Sequence, residues 1–216
     1  VDPSHAKKYT RDELEQIAAG LLHQAYPEGV TLPIDVDLIV QQHPRIDDII
    51  PAELLEDQFG VAAALVYKPA TDMFDIFVDE DTYTRQRGRS SFSIAHEFGH
   101  VVLHDEVCHI CHDLEAALEL RARLKRSYSR MEQDADAFAA AMLMPRSKVH
   151  QHAATFYEGL VRLYGYDITL IPHELSLGLA GEYGISVPAM KVRLEHLGLH
   201  RQVATAFQAK FPYLDL

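Results

Sequence analysis

The chain contains no tryptophan and only two cysteines in 216 residues. Those thiols, Cys108 and Cys111, are separated by two residues, so they cannot staple a fold, and a disulfide framework is excluded. Positive charge is scarce as well: 20 Lys and Arg stand against 32 Asp and Glu, a net charge of −12 with His neutral. A surface of that sign repels phosphate backbones and argues against direct nucleic-acid binding. No apolar run approaches a membrane span, and nothing near the N-terminus resembles a secretory h-region. The expected location is therefore a reducing cytoplasm, without a membrane partner. Apolar residues, at 48%, are sufficient for one substantial core or a main domain with a small appendage.

Histidine, by contrast, is plentiful, with 13 in the chain. Two of them fall in Ser90 to His104, S-S-F-S-I-A-H-E-F-G-H-V-V-L-H, which holds the pattern H-E-x-x-H at His96, Glu97 and His100. On an α-helix, residues four apart stack on one face, so both imidazoles can reach one metal ion while the glutamate projects beside it. A carboxylate in that position can take a proton from water acidified by the metal. The pattern alone is weak, since roughly one chain in twenty of this composition would show it by chance. Its setting strengthens it: Ile94, Ala95, Phe98, Val101 and Val102 form an apolar helical surface, with Ser90, Ser91 and Ser93 offering cap oxygens at the start. Buried polar groups need partners, and a metal would be one for this stripe.

Elsewhere the patterning places elements around this stretch. Residues 1–9 are expected to be a flexible tail. Thr10 with Glu13 makes a capping box for a helix through Leu14, Ile17, Ala18, Leu21 and Leu22. A second short helix begins at Pro33-Ile34-Asp35 and buries Val36, Ile39 and Val40. Strands are expected at Ile46–Ile50, Val61–Tyr67 and Met73–Val78, the last two joined by an antiparallel turn. Arg85 to Arg89 reads as a solvated basic connection. Beyond the motif lie an amphipathic run, Leu114 to Tyr128, and a helix from Met131 to Met144 with Ala135, Phe138, Ala139, Met142 and Leu143 inward and Pro145 as a stop.

Near the C-terminus, one helix through Leu175, Leu179 and Tyr183, a turn at Gly184, and a second helix capped by Ser186 and ended at Gly198 give the outline of a helix-turn-helix. Met190, Val192, Leu194 and Leu197 are expected to face inward. Two basic residues against three Glu over residues 172–200 leave it without the basic face that DNA requires, so a packing module is expected. The division expected is a tail at 1–9, a main domain at 10–171, the helical segment packed on it at 172–200 and an extension at 201–216.

A catalytic zinc usually takes three protein ligands. His104 continues the stripe, but it lies two turns from His96, about 12 Å along the axis, so the three histidines cannot share one ion. A pattern with Gly at 103 and His at 106 would supply the third donor locally, and Leu103 and Glu106 stand there instead. Glu132, which opens the 131–144 helix, is a candidate from a separate helix. Asp136, one turn on, is placed to orient a ligating imidazole. Both could equally be ordinary acids at a helix N-terminus, where the dipole favours them. Spacing leaves that choice open.

The segments R-Q-R-G-R-S-S-F-S-I-A-H-E-F-G-H-V-V-L-H and E-Q-D-A-D-A-F-A-A-A-M-L-M-P together resemble the ImmA/IrrE family of metallopeptidases. L-A-G-E-Y-G-I-S-V-P-A-M-K-V-R-L-E-H-L-G is similar to that family's C-terminal helical segment. The resemblance implies an α+β, mainly helical, gluzincin-like zinc peptidase with a small three-stranded sheet. It implies Zn2+ held by His96, His100 and Glu132, with Glu97 as the catalytic base. It also implies a protein substrate, a DNA-binding repressor of the helix-turn-helix type, whose cleavage relieves repression in mobile elements or in a stress response to DNA damage. The competing expectation is a non-cleaving protein that docks a repressor or toxin partner.

Two features remain outside that reading. Cys108-His109-Ile110-Cys111-His112 also matches C-x-x-C-H, a haem-attachment pattern that a reducing compartment disfavours. A second metal site, a redox pair and a plain loop all remain open for it. A donor for the oxyanion is also expected, with Tyr157 and His173 as candidates.

Overall fold

The computed structural model describes residues 7–118, 129–165, 170–199 and 205. Residues 1–6 of the expected tail, 119–128 of the expected amphipathic run and all but residue 205 of the expected 201–216 extension lie outside the described residues. Two compact units divide between Leu143 and Met144.

The first unit opens with α1 (Arg11–Ala25). Thr10 Oγ1 accepts from the Glu13 amide at 3.3 Å, and Glu13 Oε2 accepts from the Thr10 amide at 2.7 Å, which closes the capping box. Leu14, Ala18 and Leu22 are buried on one stripe. In α2 (Val36–Gln41) Asp35 caps the start and Val36, Ile39 and Val40 are buried.

The sheet has the order β1 (Ile46–Ala52), β3 (Met73–Asp79), β2 (Ala63–Lys68). β2 and β3 are antiparallel across the short turn, as expected, whereas β1 runs parallel to β3. The sheet is thus mixed. The pairing of β1 shifts register between Ile46 and Asp48. Without that extra residue, Ile46 and Ile49 would face opposite sides; with it, both are buried. Phe74, Ile76 and Val78 on the central strand are fully buried, as period-two alternation requires.

One element was not anticipated, and one local expectation is corrected. A short helix, α3 (Leu55–Phe59), lies between β1 and β2, entered through left-handed Leu54 and left through left-handed Gly60. Five residues are too few for a periodic signal to register. The basic stretch Arg85 to Arg89 is solvated, as expected, but it is helical rather than a loop. α4 (Glu80–Arg85) ends there and α5 (Arg87–Cys108) begins, with Gln86 at its N-cap rather than any of the serines. Arg87 reaches Asp37 at 2.8 Å, and Arg89 bonds Glu56. These carboxylates come from distant elements, which a local reading could not supply.

α5 is the axis of this unit. It packs against α2, β2, β3, α4 and α6 (Ser129–Leu143), while α1 packs on α6 from another side. Phe98 meets Phe138 edge to face with ring centroids 6.0 Å apart. Ahead of α1, Tyr9 is buried and donates its hydroxyl to the Leu103 carbonyl at 3.2 Å. Arg130 on α6 bonds the Tyr9 carbonyl.

The second unit contains α7 (Arg146–Tyr164), α8 (Leu170–Tyr183) and α9 (Val187–His196), with α7 on α8 and α8 on α9. Gly184 turns the chain at φ +62°, and Ser186 caps α9 through the Ala189 amide. Arg193 is buried, with its guanidinium donating twice to the Met144 carbonyl at 3.0 and 2.7 Å. Met190 and Leu194 face inward, but Val192 is 50% exposed, contrary to the expected pattern. At 100° per residue it lies about 160° from Leu194, on the opposite side of α9. Among the described residues no helix is long and apolar enough to cross a membrane.

One residue ties the sheet to the approach of α5. Asp79 is buried at the end of β3, accepts from the Thr82 amide at 2.9 Å to cap α4, and accepts from the Glu56 amide at 3.0 Å. Burial opposes its ionisation, but those backbone donors outweigh burial and hold its carboxyl below the usual range. Asp79→Ala is expected to destabilise the protein by about 1–2 kcal/mol in denaturant unfolding. A depressed carboxyl contributes its stability above its unfolded pKa and loses it as pH falls through the folded one. The difference between wild type and variant should therefore shrink in acid below about pH 4.

Candidate metal centre

His96, Gly99, His100 and Leu103 fall on one stripe of α5. Glu132, Ala135, Asp136 and Ala139 form the matching stripe of α6. The helices can approach closely because their crossing is built from small residues. A β-carbon on Gly99 would lie 3.0 Å from Phe138 Cδ1 and 3.3 Å from the Ala135 Cα.

This approach brings three donor groups together. His96 Nε2 and His100 Nε2 are 3.2 Å apart, His100 Nε2 is 3.0 Å from Glu132 Oε1, and His96 Nε2 is 3.5 Å from Glu132 Oε2. Nitrogen and oxygen ligands around a tetrahedral zinc stand about 3.4 Å from one another, given bonds of about 2.0–2.1 Å. The spacing fits an ion of that size. Both histidines are buried and Glu132 is half-buried. Among the described residues this is the one grouping of three such side chains that could hold a metal.

Asp136, largely exposed, places Oδ1 2.8 Å from His96 Nδ1, the ring nitrogen facing away from the group. Glu97 is buried on α5 between the two histidines. Cys108 and Cys111 are both buried free thiols, and burial raises the pKa of each. Cys108 Sγ faces the His100 carbonyl at 3.9 Å. His109 turns elsewhere, packing on Tyr67 and Phe74 beside Arg45, and His112 lies against Tyr67. These four do not make a second metal-holding group among the described residues. Tyr157 and His173 lie on α7 and α8 of the second unit.

One neighbour was missed by treating it only as a would-be ligand. His104 is buried, and its Nδ1 lies 3.1 Å from His100 Nδ1. The i, i+4 spacing from His100 was the available signal.

Electrostatics follow from this packing. Burial alone would lower the His96 pKa, but the Asp136 and Glu132 carboxylates override it and raise it to about 10. Burial pushes Glu132 the other way, and its polar contacts with His100 and His96 hold it well below the usual carboxylate range. For His104, burial and the neighbouring His100 act together and lower it to about 3. At neutral pH the metal-free centre holds a proton on His96.

A buried pair of imidazoles on one helix, closed by a carboxylate from a second helix and with a glutamate between the histidines, defines a metallopeptidase-type centre. Residues 76–195 match the IrrE N-terminal-like domain of the Peptidase_M78 family, and the chain belongs to that family. It is a peptidase with the α+β, zincin-like architecture expected of one. No curated protein matches the chain.

The packing makes a direct demand on the centre. Gly99→Ala requires Ala135 backbone and a fully buried Phe138 to give way, so α5 and α6 must move apart, and α6 carries both carboxylates. The expected result is a loss of about 1–3 kcal/mol in stability, with metal affinity lowered beyond what unfolding explains. Chemical denaturation and metal titration of the folded variant would test it. Unchanged metal affinity would show that the crossing does not set the donor geometry.

Proposed function

We propose that the protein is a cytoplasmic zinc-dependent endopeptidase that hydrolyses a peptide bond in a DNA-binding repressor of the helix-turn-helix type, relieving repression. The observation that carries the reading is the grouping of His96 Nε2, His100 Nε2 and Glu132 around one point, with Glu97 on the same helix. In this reading His96, His100 and Glu132 hold the ion, and Asp136 fixes the orientation of His96. A zinc ion bound there supplies Lewis acidity, polarising a peptide carbonyl and acidifying water. Glu97 takes the proton of the attacking water and delivers it to the leaving amine nitrogen. The net charge of −12 favours encounter with a basic partner such as a DNA-binding domain, and disfavours DNA itself.

The deciding experiment measures metal content and cleavage together, on wild type and Glu97→Gln, with a helix-turn-helix repressor as substrate. Wild type is expected to hold one zinc and cut at one site. Glu97→Gln should retain the zinc and lose at least about 100-fold in rate, the usual contribution of a general base. Equal cutting by the variant would remove Glu97 from the mechanism. Binding without cutting by zinc-loaded wild type would favour the docking alternative.

Metal uptake carries its own pH signature. With the metal-free His96 pKa raised to about 10, its proton must leave before Nε2 can bind a cation. Apparent affinity is then expected to rise about tenfold per pH unit from pH 6 to 9, with about one proton released per ion. Calorimetry in buffers of different ionisation enthalpy measures that proton. A pH-independent affinity would mean that His96 is already neutral when the metal arrives.

A further inference from the structure

His100 makes two kinds of contact through its two ring nitrogens. Nε2 faces His96 and Glu132, while Nδ1 faces His104 Nδ1 at 3.1 Å. A neutral imidazole has one proton for two nitrogens, so a short contact between two such rings settles the tautomer of both. If His100 carries its proton on Nδ1, it donates to His104 Nδ1 and keeps a lone pair on Nε2. If His104 Nδ1 carries the proton instead, His100 is left with an N–H on Nε2 directed at Glu132, and it has no lone pair for a cation.

The setting of His104 makes an imidazole there a cost to the fold. It is 3% exposed, and α5 leaves helical geometry at this residue, with φ −133° and ψ 23°. The Tyr9 ring stands edge-on to it at 6.3 Å. Its own Nε2 is buried and has no partner among the described residues. A buried imidazole with one unsatisfied nitrogen costs stability that a leucine at the same place would not cost.

We propose that His104 is a positioning residue: its Nδ1 accepts the Nδ1 proton of His100 and so holds His100 in the tautomer whose Nε2 is free to bind a metal. The inference rests on reading His96, His100 and Glu132 as ligands. It gives the two histidines different supports. His96 leans on an exposed carboxylate, Asp136, whereas His100 leans on a buried imidazole.

The test is zinc affinity of the full chain, by competition with a chromophoric chelator, for wild type, His104→Asn and His104→Leu. The Asn side chain keeps an acceptor oxygen near the position of Nδ1, and Leu keeps bulk without an acceptor. Loss of this support is expected to cost His104→Leu about 10- to 100-fold in affinity, with His104→Asn within about threefold of wild type. Equal affinity of His104→Leu and wild type would overturn the proposal, as would an equal loss in both variants. Because His104→Leu can fail to fold, nitrogen-15 histidine spectra of zinc-loaded wild type provide a second measurement. They should show His100 protonated at Nδ1 and His104 protonated at Nε2. A proton on His104 Nδ1 overturns the proposal. A wild type that takes up no zinc removes the ligand reading itself, a failure distinct from zinc-loaded wild type with an indifferent His104.

Discussion

The close crossing of α5 over α6 is the constraint on which everything else depends. Side chains at positions i, i+3 and i+4 share a helix face, so the stripe that carries His96 and His100 must also carry position 99. Any side chain there would meet the Ala135 backbone within 3.3 Å. Glycine at 99 and alanine at 135 and 139 let the backbones approach. Glu132 and Asp136, spaced around Ala135, then reach the two imidazoles from the partner helix. Small residues at a crossing and long polar residues on either side of it are two aspects of one solution. The apolar stripes fix the distance, and the polar ends exploit it.

That solution concentrates charge where water is scarce. Two imidazoles and a carboxylate facing one another in a protein interior are tolerable only if each charge meets its opposite. Without a metal, the pairing is achieved by a proton: His96 becomes imidazolium between Glu132 and Asp136, and Glu132 stays ionised. A divalent cation would take the proton's place with the same carboxylates already arranged around it.

Much of this was legible in the chain because the relevant signals are local. The capping box at Thr10 and Glu13, the Asp35 cap, the three strands and the inward face of α6 all follow from side chains within one turn or one pleat of each other. So does the pairing of His96 with His100. What was not legible depends on partners distant in sequence. The ion pairs of Arg87 and Arg89 were missed because their partners, Asp37 and Glu56, lie about 50 and 33 residues away. β1 runs parallel to β3 because of a crossover that no local pattern encodes. The third donor was open for the same reason: an acid at a helix N-terminus looks alike whether it faces water or an imidazole. His104 was misjudged differently, by asking only whether it could reach an ion and not whether it could reach a ligand.

The family match begins at residue 76, inside β3, yet the helices that bear the centre are braced by what precedes it. α1 packs on α6, and α2 and β2 pack on α5. Tyr9 spans both site helices, donating to the Leu103 carbonyl of α5 while its own carbonyl accepts from Arg130 of α6. Two helices can be held at a fixed crossing only if each is buttressed on its outer face, since their mutual contact buries one stripe and leaves the rest of each surface to be covered. In this chain residues 9–68 provide much of that cover. The family match and the packing that braces the centre therefore have different boundaries. The centre is written in the matched residues, and the residues before them cover the outer faces of the two helices that carry it.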